Sequence, residues 1–206
     1  MLMVDEAHAT GTLGPGGRGA VAEAGVGDAV DVVVGTLGKS LGSYGAYVCA
    51  AAEIRELLVN AARTFIFSTA LPPPAIGAAL AALELLATRP ELVGQVRRNA
   101  AVLRGELASF GLDTGPSSTQ VMAVIVGDPG GAVALCERCL ERRVFAQAIR
   151  PPTVPAGTSR LRLSVMATHR PDELRAAARV IAAAREELGI SAPAAPAAPV
   201  RMRPAA

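Results

Sequence analysis

Aromatic residues and cysteines are scarce in this chain. Phe, Tyr and Trp together make up 3% of the 206 residues, and Trp is absent. A hydrophobic core must therefore be built from Leu, Val, Ile and Ala, which the hydrophobic fraction of 51% can supply. The three cysteines are few and odd in number, which argues against a disulfide framework.

An excess of one charge and long apolar runs are lacking as well. The 20 basic and 18 acidic residues nearly balance, and no basic block is interleaved with aromatics, so nucleic acid is not an expected partner. The longest apolar stretch, residues 75–87, is interrupted by Glu84 and is too short to span a bilayer. No signal-type segment opens the sequence. We expect a small-molecule substrate, a cytoplasmic location and no membrane partner.

Short apolar runs alternate with glycine-rich loops before the prolines at 72–74, and helical spacing dominates after them. The predicted strands are residues 2–4, 31–34, 44–50, 65–68, 121–126 and 161–165. The predicted helices are residues 52–62, 75–88, 91–110, 131–143 and 171–188. Residues 75–88 are apolar on nearly every helical face, which predicts burial between layers.

The change of pattern at the prolines indicates two unequal domains. The predicted divisions are an α/β domain at 1–74, linking helices at 75–110, a small α+β domain at 111–190 and a disordered Ala/Pro tail at 191–206. Residues 2–4 form a strand with no upstream element to pair with, so we expect the chain to be part of a larger domain.

Two interpretations compete for the motifs DEAH at 5–8 and GKS at 38–40. A nucleotide hydrolase would use the carboxylates for Mg²⁺ and the second motif for phosphate. That phosphate loop requires a glycine where Val33 stands, and it should precede the carboxylate strand rather than follow it. The hydrolase interpretation is therefore disfavoured.

Pyridoxal phosphate chemistry needs the same residue types in the order found here. A carboxylate such as Asp5 keeps the ring nitrogen of this cofactor protonated, and His8 can reach its phenolic oxygen. Lys39 can carry the cofactor covalently, and Thr36 can hydrogen-bond nearby oxygens. Taken singly, these residues read as a cap, a loop histidine and a surface lysine; their joint spacing favours the cofactor.

Four segments resemble the α-oxoamine synthase family of pyridoxal-phosphate enzymes, in the family's order. They are residues 5–19 beginning DEAHATG, 35–42 (GTLGKSLG), 67–73 (FSTALPP) and 150–163 (RPPTVPAGTSRLRL). The resemblance implies the C-terminal part of a fold-type I transferase of the α/β class. That part would hold an incomplete mixed-sheet large domain and a smaller α+β C-terminal domain.

The resemblance also implies roles for individual residues. Asp5 would pair with the ring nitrogen, His8 with the phenolic oxygen and Thr36 with the phosphate. Lys39 would carry the cofactor and move the substrate's α-proton. Ser68 and Thr69 would reach a phosphate across a homodimer interface.

Two further residues would bind substrate. Thr153 would contact the acyl group, and Arg162 would grip the amino-acid carboxylate with two hydrogen bonds. The segment at 150–155 looks most like the family member that condenses L-alanine with a pimeloyl thioester, carried by coenzyme A or a carrier protein. A glycine or serine acyltransferase and a non-catalytic remnant remain alternatives. We expect the isolated chain to be poorly soluble or inactive.

Cys136 and Cys139 form a CxxC motif inside a predicted amphipathic helix. A zinc site needs four ligands and no second pair is present, so core packing is the interpretation and no metal is expected. His169, before the last helix, is interpreted as a capping or packing residue.

Overall fold

A computed structural model describes residues 1–191. The chain divides into two compact units, Met1–Arg97 and Arg98–Ala206, which we call unit 1 and unit 2. The predicted tail falls outside the described residues except for Ser191. The domain boundaries predicted at 74 and 110 stay a prediction.

Unit 1 contains a mixed three-stranded sheet. Its strands are β1 (Met3–Asp5), β2 (Val32–Thr36) and β3 (Ala46–Ala50), in that spatial order. Strand β1 runs parallel to β2, with Asp5 opposite Val34, and β3 runs antiparallel to β2. The incomplete mixed sheet expected for this α/β fold is therefore confirmed.

The helices of unit 1 are short except for the last two. Their bounds are α1 (Ala20–Ala24), α2 (Ala52–Ala61), α3 (Arg63–Ile66), α4 (Pro73–Thr88) and α5 (Glu91–Ser109), the last of which continues into unit 2. Single 3₁₀ turns lie at Pro15–Gly17 and Gly27–Ala29.

The strand predicted at residues 65–68 is wrong. This stretch overlaps helix α3, in which the amides of Phe65 and Ile66 both donate to the carbonyl oxygen of Ala62. A short apolar run does not distinguish a strand from a helical turn, and aromatic residues bias the interpretation toward a strand.

The burial predicted for α4 is also wrong. Ala79 is buried, but Leu80, Leu83 and Leu85 are 56%, 48% and 49% exposed. An apolar pattern on every face predicts burial only where other elements cover every face. Within the described residues those covering elements are absent from most of this helix.

Unit 2 is built on an antiparallel sheet in the order β4-β6-β5. The strands are β4 (Val121–Gly127), β5 (Gln147–Ile149) and β6 (Ser159–Ser164), and the helices are α6 (Pro129–Glu141) and α7 (Pro171–Glu187). Strand β5 was not predicted, because its three residues show no alternation long enough to detect. The main hydrophobic cluster lies in this unit and includes Leu107, Met122, Leu135, Leu161 and Ile181.

The CxxC cysteines pack as predicted. Cys139 is fully buried in the core of unit 2, and Cys136 lies against that core with its thiol donating to the carbonyl oxygen of Ala146 at 3.0 Å. Burial, with a smaller contribution from Cys136, raises the pKa of the Cys139 thiol to about 11. Within residues 1–191, no helix has the length and apolar character needed to cross a membrane.

Candidate active site

Asp5 and His8 lie where β1 ends. The Asp5 carboxylate accepts a hydrogen bond from the amide of Ala7 at 2.8 Å through one oxygen, which turns the chain away from the sheet. Asp5 and His8 are both exposed. The turn therefore presents a carboxylate and an imidazole at the carboxyl end of this strand.

Glu6 faces the opposite way and is only 2% exposed. Its two carboxylate oxygens accept hydrogen bonds from the amides of Ala20 at 2.8 Å and Val21 at 2.7 Å, the first residues of α1. The carboxylate thereby caps that helix and fixes the loop that carries His8. The sequence interpretation gave Glu6 no role of its own.

Thr36 ends β2 and begins the loop of Lys39. The Thr36 hydroxyl donates to the carbonyl oxygen of Gly45 at 3.1 Å and accepts from the amide of Gly38 at 3.1 Å. These hydrogen bonds fix the conformation of the loop. Since the hydroxyl proton is already used, a phosphate oxygen would have to replace Gly45 as its acceptor.

Lys39 lies at the tip of this loop and is exposed. Among residues 1–191, its ammonium group makes no hydrogen bond or ion pair. Lys39 is also the one lysine of the 206-residue sequence, in which the other basic side chains are arginines. This composition signal was available from the sequence and had been overlooked.

The loops of His8 and Lys39 meet at one edge of the sheet. Because β1 and β2 are parallel neighbours, their carboxyl ends lie side by side. The Ser40 hydroxyl donates to the carbonyl oxygen of Thr10 at 2.5 Å, which joins the two loops directly. The structure therefore gathers Asp5, His8, Thr36 and Lys39 at one edge.

Ser68 and Thr69 lie in the exposed segment between α3 and α4. The end of this segment and the start of α4 pack against the chain that follows Lys39. Leu71 fills the space beside Gly45, and the Ser43 hydroxyl donates to the carbonyl oxygen of Ala75 at 2.5 Å. Their predicted contact with a phosphate in a dimer stays a prediction.

Thr153 and Arg162 belong to unit 2. Thr153 is exposed in a turn, and its backbone amide donates to the carbonyl oxygen of Arg150 at 3.0 Å. Arg162 lies on the exposed face of β6, while its neighbours Leu161 and Leu163 point into the core. The alternation turns Arg162 outward from the core, and its role stays a prediction.

The edge in unit 1 fits a ring cofactor with an aldehyde, a cationic nitrogen and a phosphate. It offers an exposed carboxylate, an imidazole and an unpaired primary amine on neighbouring strand ends. These are the donor types that such a group requires. Among the described residues, no cluster of His, Cys, Asp and Glu is arranged to hold a metal ion.

Comparison with known proteins identifies the family of this chain. The profile of the aminotransferase class I and II family matches residues 1–181, and the chain belongs to this family. A curated 8-amino-7-oxononanoate synthase of Citrifermentans bemidjiense is 47% identical over 192 residues, covering 92% of this chain and 49% of the relative. The chain thus spans about half the length of the curated relatives it matches.

Two solved structures point to the same group of enzymes within this family. A serine palmitoyltransferase structure, described as holding pyridoxal phosphate as an internal aldimine, superimposes with a TM-score of 0.87 at 32% identity, covering 93% of this chain and 48% of that one. An 8-amino-7-oxononanoate synthase from Francisella tularensis gives a TM-score of 0.78 at 27% identity, covering 92% of this chain and 56% of that one. The resemblance to α-oxoamine synthases is confirmed.

Proposed function

We propose that the chain is the lysine-bearing, C-terminal part of a cytoplasmic, homodimeric 8-amino-7-oxononanoate synthase of biotin biosynthesis. The reaction joins L-alanine to a pimeloyl thioester, releases CO₂ and the thiol, and yields 8-amino-7-oxononanoate. The observation that carries the proposal is the meeting of Asp5, His8 and the single lysine, Lys39, at one sheet edge.

Pyridoxal phosphate, when bound, supplies an electron-withdrawing ring that makes the α-hydrogen of the amino acid acidic. Asp5 would hold a proton at the ring nitrogen, using the carboxylate oxygen that does not accept from Ala7. His8 would donate to the phenolic oxygen. Thr36, Ser68 and Thr69 would bind the phosphate.

Lys39 would carry the cofactor before substrate arrives and then act as a base. When its Nζ is not bound to the cofactor, it would take the α-proton of alanine and later return a proton to the same carbon. Its position at an exposed loop tip suits this exchange, because no carboxylate in residues 1–191 forms an ion pair with its Nζ. The lysine is therefore available for both roles.

Arg162 and Thr153 would bind the two substrates. A guanidinium can hold the alanine carboxylate with two parallel hydrogen bonds until CO₂ leaves. Thr153, in an exposed turn, would contact the acyl chain of the thioester. Both assignments rest on the family motif at 150–163.

A serine acyltransferase is the second candidate. The serine palmitoyltransferase structure superimposes more closely than the Francisella synthase, with TM-scores of 0.87 and 0.78. Sequence identity favours the alanine-using enzyme through the curated synthase, which is 47% identical to this chain; the solved serine palmitoyltransferase and Francisella synthase are 32% and 27% identical. Side-chain identity bears on substrate choice more directly than backbone similarity.

Exchange of the α-hydrogen in D₂O distinguishes the candidates without a thioester. The expected inactivity of the isolated chain concerns the complete condensation, whereas proton removal is a partial reaction. With pyridoxal phosphate added, the chain should exchange the α-hydrogen of L-alanine faster than that of L-serine or glycine, and Lys39→Ala should abolish the exchange. Faster exchange with serine would favour the second candidate. Cofactor bound without any exchange would favour a non-catalytic remnant.

A further inference from the structure

Tyr47 reaches across the whole sheet of unit 1. It lies on β3, directly opposite Gly35 of β2, yet its hydroxyl is 2.7 Å from the hydroxyl of Thr10, in the loop after β1. The ring therefore passes over the central strand just before Thr36. A single side chain connects the third strand to the loop that carries His8.

Gly35 makes this path possible. A Cβ atom built at Gly35 would lie 2.3 Å from both Cζ and the hydroxyl oxygen of Tyr47. Such a distance is far inside van der Waals contact, so the ring occupies the volume that a side chain at 35 would take. Glycine here serves close packing, since its backbone conformation is one that other residues adopt.

Ser40 makes a second connection to the same residue. Its hydroxyl donates to the carbonyl oxygen of Thr10, and a Cβ at Gly11 would lie 2.6 Å from that hydroxyl. Gly11 also has a φ of +79°, which disfavours other residues. Thr10 is thus held by Tyr47 through its side chain and by Ser40 through its backbone.

We propose that Tyr47, Thr10 and Ser40 form a hydrogen-bonded tie that fixes the distance between the His8 loop and the Lys39 loop. These are positioning residues: they act through Lys39 and His8. The inference rests on the proposed function, because the value of a fixed distance is that one ring must meet Asp5, His8 and Lys39 together. Preorganisation of this kind lowers the cost of ordering the site on binding.

Three variants test the hydrogen bond between the hydroxyls of Tyr47 and Thr10 separately from the bond made by Ser40. Tyr47→Phe and Thr10→Val each remove one hydroxyl while keeping shape, and Thr10→Ser restores the hydroxyl. Tyr44→Phe is the matched control, because Tyr44 is the other tyrosine of the chain and is 69% exposed.

Two readouts apply to the full chain. The first is hydrogen exchange of the amides of residues 7–13 and 37–43 without cofactor. The second is the rate at which pyridoxal phosphate becomes trapped on Lys39 by borohydride. We expect Tyr47→Phe and Thr10→Val each to raise loop exchange several-fold and to slow trapping about tenfold, a difference of about 1.4 kcal/mol.

The double variant tests whether the two hydroxyls act as one unit. Its effect should equal that of either single variant, whereas additive effects would overturn the tie. Unchanged loop exchange in both single variants, or no recovery in Thr10→Ser, would overturn it too. If the unsubstituted chain traps no cofactor on Lys39, the proposed function fails; if trapping proceeds equally in all variants, only the tie fails.

Discussion

The main hydrophobic core and the candidate cofactor residues lie in different units of this chain. Unit 2 contains the main hydrophobic cluster, in which Leu161 and Ile181 are fully buried. Unit 1 contains the candidate cofactor residues, yet large apolar side chains such as Met3, Phe67 and Leu80 are more than half exposed. A unit can therefore position reactive groups through loops and hydrogen bonds while its own apolar surface lacks cover.

This difference predicts unequal costs for the same substitution in the two units. Leu161→Ala should lower the free energy of unfolding by about 3 kcal/mol, because it empties part of a closed core. Leu80→Ala, on the exposed face of α4, should change it by less than about 0.5 kcal/mol. Urea unfolding followed by circular dichroism measures both.

Similar costs at both positions would contradict the comparison. Tyrosine fluorescence provides a control, since Tyr44 and Tyr47 both belong to unit 1 and the chain has no Trp. The Leu161→Ala transition should shift by circular dichroism more than by fluorescence if the units unfold separately.

Thiol reactivity gives a second, smaller contrast. Cys49 is exposed in unit 1, whereas Cys139 is buried in unit 2 with its pKa raised to about 11. Near neutral pH the Cys139 thiolate should be about two orders of magnitude scarcer than it would be for an unshifted thiol, and burial adds a further barrier. Ellman's reagent should modify Cys49 first.

Raising the pH sharpens this test. Because the pKa of the Cys139 thiol is raised, its reactivity should increase only as the pH approaches 11, and unfolding in urea should remove the difference. A Cys49→Ser/Cys136→Ser variant that still reacts rapidly at neutral pH would show that the core of unit 2 is open; Cys136 is replaced as well because it is only half-buried.

The smallest expected effect concerns the surface of unit 2. The Glu187 carboxylate accepts from Arg142 at 2.6 Å and from Arg138 at 2.7 Å, which joins α7 to α6. The hydrogen bond from Arg142 is the main reason that the pKa of Glu187 lies below its usual range. Exposure keeps the contribution of these pairs small.

Glu187→Gln should therefore lower the unfolding midpoint slightly at about pH 7 and not at about pH 3. A carboxyl group with a lowered pKa in the folded state stabilises above its unfolded pKa, and that stability is lost as the pH falls through the folded value. An equal loss at both values of pH would mean that the charge is not involved. Glu141→Gln serves as a control, because the ion pair of Glu141 with Arg138, at 3.0 Å, lies within α6.

The bounds of helices and strands were predicted from the sequence better than the packing around them. Strand β2 and helix α7 were found within about two residues of their predicted bounds, because their hydrophobic periodicity is local information. Burial of α4 was not predictable, since it depends on neighbours rather than on the helix itself.

The candidate site shows the same division. Asp5 and Lys39 were predicted from their spacing and the family motif; the structure places both at one sheet edge, and their roles stay a prediction. Glu6 and Tyr47 were missed because their partners, Ala20 and Thr10, are distant from them in sequence. Only tertiary structure reveals such contacts.

Covalent trapping of pyridoxal phosphate tests the central claim most directly. Two primary amines compete in this sequence, Lys39 and the α-amino group of Met1. Because α-amines are in general less basic than lysine side chains, an ordinary surface lysine should be labelled less than an α-amine at neutral pH. At neutral pH and low cofactor concentration, the account predicts borohydride-stable label on Lys39 in excess of Met1, lost in Lys39→Arg and reduced in Asp5→Asn. Label mainly on Met1, with Lys39 unmodified, would contradict it.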